Sequence, residues 1–334
     1  MPAIRAFSSY LPELRRTNAD LAPLLGVTPD WIYEVSGIEE RRVAHPGQSV
    51  AGLAVEAGRD CLARAGRTPS EVECLILSSA SGELRFPGPA AAVASELGAA
   101  GIPAIDVPIA SAGSLFALSL ADHLAATRYR TILIIAAEKM STPAMAEPLD
   151  KNVAILFGDG AGACLVTRDE TIAASAVAAD RPGQHCLKIL SHAIHSDGAF
   201  ADDLTLSLVD RIRMNGLTVI LQASRKLPSV IQEAAAAANI PVSAIHRFLL
   251  HQANRNLLLK VAKALGADPA RFFSNIERYG NTSSASMLIA AAEWANHSSP
   301  VEGETIAFAA FGAGFHWGAL MARQVGPDIT GGRD

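Results

Sequence analysis

Residues 280–286 read Gly-Asn-Thr-Ser-Ser-Ala-Ser, and His251-Gln252-Ala253-Asn254 precedes them. His251 follows the apolar run Phe248-Leu249-Leu250, where a buried strand would emerge, and Asn281 lies in a loop of small residues. Each can aim one N–H at the same carbonyl oxygen. Two such donors stabilise the negative charge that a malonyl-type thioester gains as it becomes an enolate. A third group is Ser111, in Asp106-Val107-Pro108-Ile109-Ala110-Ser111-Ala112-Gly113-Ser114, where a strand passes into a helix. Free N–H groups and the positive end of the helix dipole face whatever bonds to a side chain there. A serine hydroxyl needs a base to take its proton during attack, and His251 is the candidate. In Phe311-Gly312-Ala313-Gly314-Phe315, small residues let the backbone come close, so one amide can join the N–H of Ser111 in an oxyanion hole. Each segment also has a plainer reading: Ser111 as a helix N-cap, His251 as a satisfied core group, and the two glycine stretches as tight turns.

The elements that must position these residues alternate between helix and strand. Helical apolar spacing covers 50–65 and closes at Gly66, and 72–78 reads as a buried strand. A short strand at 104–109, a helix at 112–126 and a buried strand at 131–137 follow. A hairpin with glycines at its bend is expected over 154–166. The second half repeats this order: helix 228–238, strand 245–250, helices 256–265 and 284–294, and a glycine-bent hairpin over 306–322. Residues 245–250 align with 72–77, and Phe311-Gly312-Ala313-Gly314 answers Phe157-Gly158-Asp159-Gly160, which suggests an internal duplication. Strands without polar alternation, separated by helices, predict an α/β sheet covered on both faces. The expected halves are 1–170, carrying the serine, and 171–334, carrying the histidine and asparagine. Residues 181–227 break the pattern as an insertion near the pocket mouth. The pair His192 and His195, followed by Asp197, invites a metal reading, but no third ligand lies at a convincing spacing to the pair, so a strand and turn are expected and no metal.

Half of the 334 residues are apolar, 18% are charged and the net charge is −5, which gives no general attraction to nucleic acid or an anionic membrane. Cys61, Cys74, Cys164 and Cys186 form no CxxC pair and read as reduced thiols. No charged and apolar leader opens the chain, and apolar runs such as 131–137 are far short of a membrane span. A cytoplasmic protein is expected.

The three chemical segments, in this order, resemble the β-ketoacyl-acyl-carrier-protein synthase III family. Further matches run along nearly the whole chain: Ser9-Tyr10-Leu11-Pro12, Asp30-Trp31-Ile32, Ser36-Gly37-Ile38-Glu39-Glu40-Arg41, Phe86-Pro87, Phe157-Gly158-Asp159-Gly160-Ala161-Gly162 and Phe311-Gly312-Ala313-Gly314-Phe315-His316-Trp317-Gly318. The resemblance implies a thiolase-type fold, a duplicated five-layer αβαβα sandwich of two five-stranded halves, usually a homodimer. It implies that Trp31 stacks on the adenine of coenzyme A and that Gly216 and Asn254 lie along the pantetheine arm. It also implies that the Ala313 N–H completes the oxyanion hole and that Phe86 reaches the acyl pocket of the partner subunit. Arg255, Lys260 and Lys263, on the helix after His251, could meet an acidic carrier protein or form a solvated face. No cofactor is implied, since acyl-coenzyme A is a substrate.

Departures from the family pattern are specific. The family's Cys-Ala-Gly-Phe is Ser111-Ala112-Gly113-Ser114, an arginine after the tryptophan is Val35, and one that grips the coenzyme A phosphate is Lys151. Lysine keeps the charge without the bidentate fork. The resulting expectation is an acyltransferase that takes an acyl group from acyl-coenzyme A onto Ser111. It would pass that group to, or condense it with, a malonyl-carrier-protein acceptor at the start of a fatty acid or polyketide. An ordinary synthase III with serine introduced for cysteine at 111, or a non-catalytic acyl-binding partner subunit, are the alternatives.

Overall fold

The computed structural model describes residues 1–168, 184–207, 211–299 and 301–326. Its strands are β1 Ala3–Tyr10, β2 Leu14–Thr17, β3 Glu40–Val43, β4 Cys74–Ser78, β5 Ala104–Val107, β6 Thr131–Lys139 and β7 Asp159–Thr167, then β8 Gln184–Ser196, β9 Leu204–Leu206, β10 Ile212–Met214, β11 Arg247–Leu250, β12 Thr305–Gly312 and β13 His316–Gln324. Its helices are α1 Asn18–Leu25, α2 Pro29–Ser36, α3 Val50–Ala65, α4 Ala90–Leu97, α5 Gly113–Thr127 and α6 Ser141–Ala144, then α7 Lys151–Ala154, α8 Gly216–Ala237, α9 Arg255–Leu265, α10 Ile276–Tyr279 and α11 Ser286–His297.

Nine strands pair in the order β11-β12-β13-β8-β1-β7-β6-β4-β5. In the first series β4 is parallel to β5 and β6, and β7 is antiparallel to β6 and β1. In the second, β11 is parallel to β12, and β13 is antiparallel to β12 and β8. The relations β4-β6-β7-β1 therefore recur as β11-β12-β13-β8, and the two inner strands β1 and β8 meet antiparallel. The duplication seen in short sequence matches is thus a feature of the topology. The Phe-Gly-Asp-Gly segment enters β7 as Phe-Gly-Ala-Gly enters β13. The second series departs from the expected five strands. At the place of β5 it has only a parallel bridge between Phe248 and Phe272, leaving four ladder strands among the described residues. The expected boundary at 170/171 lies outside the described residues.

Burial on both faces explains the unbroken apolar strands. On β4, Cys74 and Ile76 point to one core and Leu75 and Leu77 to another. On β12, Ile306 and Phe308 share the first core, while Ala307 and Ala309 face a third. The shared central core contains α5 and α11, so their small residues (Ala117, Ala121, Ala291, Ala292) let two sheet halves close on them. Helices α3 and α4 cover one outer face, and α8 and α9 the other. The layers are αβαβα.

Three sequence expectations need correction. Residues 154–166 form no hairpin: β7 is one strand between β1 and β6, and its glycines admit a helix, since a Cβ at Gly162 would lie 2.6 Å from Leu288 Cβ. Helix α8 packs on β13 and β8, starts at Gly216 and carries a buried Pro228 inside it. The segment 181–227 is only partly an insertion, because β8 is a central strand pairing with β1 and β13; residues 181–183 and 208–210 lie outside the described residues. No described helix is long and apolar enough to cross a membrane. All four cysteines are free, and burial pushes Cys61 up to about 12 and Cys74 up to about 11, which makes them poor nucleophiles.

Candidate active site

Ser111 sits between the end of β5 and the start of α5 with φ of 58°, the left-handed region that a residue with a Cβ rarely adopts. The N-cap of α5 is Ala112, so Ser111 does not cap the helix and its hydroxyl is left to the site. Packing fixes this turn from both sides. A Cβ at Gly113 would lie 2.0 Å from Ser78 Oγ, and one at Gly312 would lie 2.1 Å from the Ala110 carbonyl and 2.8 Å from Ser111 Cβ. The Ser111 N–H donates to Ser283 Oγ at 3.1 Å. An oxyanion using that N–H must compete with this hydroxyl. Ser283, in the loop entering α11, also has a positive φ of 47°.

His251 follows β11 and is buried; its Nδ1 lies 2.5 Å from Ser286 Oγ, which also accepts from the Gln252 N–H at 3.1 Å. Desolvation brings its pKa down to about 4, against an opposing backbone hydrogen bond with Ser283, so the ring is neutral at physiological pH. The neutral ring has one N–H and one lone pair, and a hydroxyl at Nδ1 can serve either arrangement. Asn281 Oδ1 accepts from the Ser283 N–H at 2.9 Å, which leaves Nδ2 without a protein partner among the described residues. The Asn281 loop is pinned by its N–H to the Leu156 carbonyl at 2.9 Å and by the Gly158 N–H to its own carbonyl at 3.1 Å.

Sequence reasoning missed Glu138. Its buried carboxylate accepts from Ser284 Oγ at 2.6 Å, Ser81 Oγ at 2.5 Å and the Ala80 N–H at 3.1 Å. Burial raises its pKa, and these hydrogen bonds oppose the rise. Glu138 thereby ties the loop after β4 to the Asn281 loop. One acid ending an apolar strand was the available signal.

Two cavities meet at Ser111. The inner one, about 90 Å³, is lined by Ser111, His251, Asn281, Gly216 and Asn254. The outer one, about 570 Å³, is lined by Ser111, Ile109, Met140, Leu206, Ala313 and His316. Asn254 also donates from Nδ2 to the Val35 carbonyl at 2.8 Å. Trp31 and Lys151 lie outside both linings but meet each other, with Lys151 Nζ 5.4 Å from the indole centre. Phe86 lies outside both as well and is 82% exposed. Lys260 and Lys263 are exposed on α9, whereas Arg255 is occupied by Tyr33: it donates to the phenol oxygen at 2.6 Å and stacks on the ring at 4.5 Å. His192 and His195 do not converge, because three residues along β8 places them on opposite faces. His195 meets Glu233, and Asp197 meets Lys226.

Residues 105–198 match the family model described as 3-Oxoacyl-[acyl-carrier-protein (ACP)] synthase III, and residues 235–324 match its C-terminal counterpart. The β-ketoacyl-[acyl-carrier-protein] synthase III of Gloeobacter violaceus is 35% identical over 97% of this chain and 99% of its own length. The chain belongs to the 3-oxoacyl-[acyl-carrier-protein] synthase III family. A crystal structure of 3-oxoacyl-[acyl-carrier-protein] synthase III from Aquifex aeolicus superposes on this synthase III family member with a TM-score of 0.88 at 31% identity, covering 97% of this chain and 100% of that one. The priming β-ketosynthase of the R1128 polyketide pathway gives 0.86 at 26% identity, covering 97% and 96%. The fold is the family's thiolase-type fold, and the family is one of acyltransferases.

Proposed function

We propose that this family member takes an acyl group from acyl-coenzyme A onto Ser111 and condenses it with a malonyl-carrier-protein at the start of a fatty acid or polyketide. The observation that carries this reading is that Ser111 lines both cavities while His251 and Asn281 line the inner one with it. In loading, Ser111 Oγ attacks the thioester carbonyl and His251 accepts the hydroxyl proton. Collapse of the tetrahedral adduct expels the coenzyme A thiolate, which takes that proton. In condensation, the malonyl C–C bond breaks, carbon dioxide leaves, and the electron pair forms an enolate whose oxygen lies between N–H groups of His251 and Asn281. The enolate carbon attacks the acyl ester, and Ser111 Oγ leaves and takes a proton from solvent. His251 is thus an acceptor in one step and a donor in the other, which the Ser286 hydroxyl at Nδ1 accommodates.

On the same reading, 1–170 supplies the nucleophile and 171–334 the enolate donors. Trp31, Lys151, Gly216 and Asn254 hold coenzyme A, with Ala313 completing the oxyanion hole. Lys260 and Lys263, with Arg255 at their base, meet the acidic carrier. The protein works as a cytoplasmic homodimer with no resident cofactor.

Short acyl-coenzyme A donors should add one acyl mass to the Ser111 peptide, and Ser111→Ala should abolish it. Ser111→Ala should still release carbon dioxide from malonyl-carrier-protein, and Asn281→Ala should cut that release about 100- to 1000-fold. No acyl label with any donor refutes loading. Loading in the parent protein without carbon dioxide from Ser111→Ala refutes condensation and leaves simple acyl transfer.

A further inference from the structure

Away from both cavities, α5 and β8 bring together a second cluster of functional groups. Asp122, His123 and His192 each offer a ligand atom, and the three atoms lie within 4.8 Å of one another. The His123 Nδ1–H donates to the Ser119 carbonyl at 2.9 Å, so Nε2 carries that ring's lone pair. His192 Nδ1 lies 3.0 Å from Ser119 Oγ, and its Nε2 lies 3.2 Å from Asp122 Oδ2. The two imidazoles meet edge to face with centroids 4.9 Å apart. Ser119 is buried, Asp122 and His192 are half-buried and His123 is exposed, so an ion can enter from solvent at the His123 side.

We propose that Asp122, His123 and His192 form a binding site for a divalent ion of the zinc class. Two imidazoles and one carboxylate are a donor set that suits zinc, and three protein ligands leave a fourth position for water. Ligands about 2.0–2.1 Å from a tetrahedral ion stand about 3.3 Å apart, close to the His192–Asp122 separation already present. Ser119 supplies what metal-bound histidines usually have, a partner at the other ring nitrogen that fixes ring and tautomer. Here it does so for both histidines, through its hydroxyl and its carbonyl. Without metal, His192 holds a proton at Nε2 toward Asp122. With metal at Nε2 the ring takes its other tautomer: the Nε2 proton goes to solvent, Nδ1 takes one up from solvent, and the new Nδ1–H donates to Ser119 Oγ. The bound ion joins α5, the helix that begins beside Ser111, to β8, a central strand of the sheet.

The full chain, stripped with chelator and titrated with zinc by calorimetry, should bind one zinc per chain, and the cobalt-loaded form should show the visible bands of a four-coordinate site. His192→Gln and Asp122→Asn should abolish both signals. His123→Gln, at an exposed position that little of the fold depends on, should weaken binding, and Ser119→Ala should weaken it about 10- to 100-fold. Circular dichroism of the metal-free variants checks that the fold is kept. Absence of zinc binding by the folded parent, or binding unchanged in the folded His123→Gln, His192→Gln and Asp122→Asn variants, overturns the proposal.

Discussion

Burial holds the His251 imidazole down at about 4, against an ordinary value of 6.5. In the proposed role as base, a ring that stays neutral to such low pH gives a specific kinetic signature. The rate of Ser111 acylation should stay flat as pH falls through 6.5, with its acidic limb displaced toward about 4, provided circular dichroism shows the chain still folded. A limb at 6.5 or above would mean that the ring is solvated and does not serve as the buried base. Stability, unlike the rate, changes in that window. Between about 4 and 6.5 the unfolded chain binds a proton at this position that the folded chain does not, so this contribution is fully present above 6.5 and is lost as pH falls toward 4. Denaturant midpoints measured across that range should fall with acid, and less so in His251→Gln.

Close approach between elements places Ser111, and glycines are where that approach can be tested. At Gly312 a Cβ would meet the Ala110 carbonyl at 2.1 Å and Ser111 Cβ at 2.8 Å, both on the turn that holds the serine. Gly312→Ala should destabilise the fold by about 1–3 kcal/mol in chemical denaturation and lower acylation with it. Gly47→Ala, where nothing lies within 4 Å, is the control and should leave both nearly unchanged. The same close packing decided what could be read in the sequence. Helix α3 was legible to the residue because Gly66 closes it in the left-handed conformation. β4, β6 and β11 were legible because burial on both faces makes them continuous apolar runs. The glycines of β7 were misread as a bend because their cause, α11 lying on the strand, comes from far along the chain. Pro228 was misread as a helix start because local propensity disfavours proline inside helices, and the burial of α8 overrides it. In the site, residue types and order were visible. The Ser283 hydroxyl on the Ser111 N–H, Ser286 behind His251 and the Glu138 clamp were not, since each joins segments distant in sequence.

At the scale of the whole molecule, the candidate site lies on the seam of the duplication: Ser111 follows the first series, and His251 and Asn281 belong to the second, all three lining one cavity. The outer cavity is lined by Leu84 and Arg85, yet the next residue, Phe86, turns outward and is 82% exposed beside Leu84 at 65%. These two large apolar side chains beside the cavity mouth are ones that the proposed homodimer would cover. The resemblance assigns Phe86 to the acyl pocket of the other subunit of a homodimer, and this proposed role can be separated from one in its own subunit. Phe86→Ala should slow acylation by longer donors and relax discrimination between chain lengths, while Ser111→Ala alone should take no acyl label. When the two variants exchange subunits, the mixed dimer has one site with an intact Ser111 from the Phe86→Ala chain and an intact Phe86 from the Ser111→Ala chain. Mixing should therefore restore parent-like discrimination at that site, measured as acyl mass on the Ser111 peptide across a series of donor lengths. If subunit exchange is confirmed and discrimination stays relaxed, Phe86 acts within its own chain and the partner has no share in the acyl pocket.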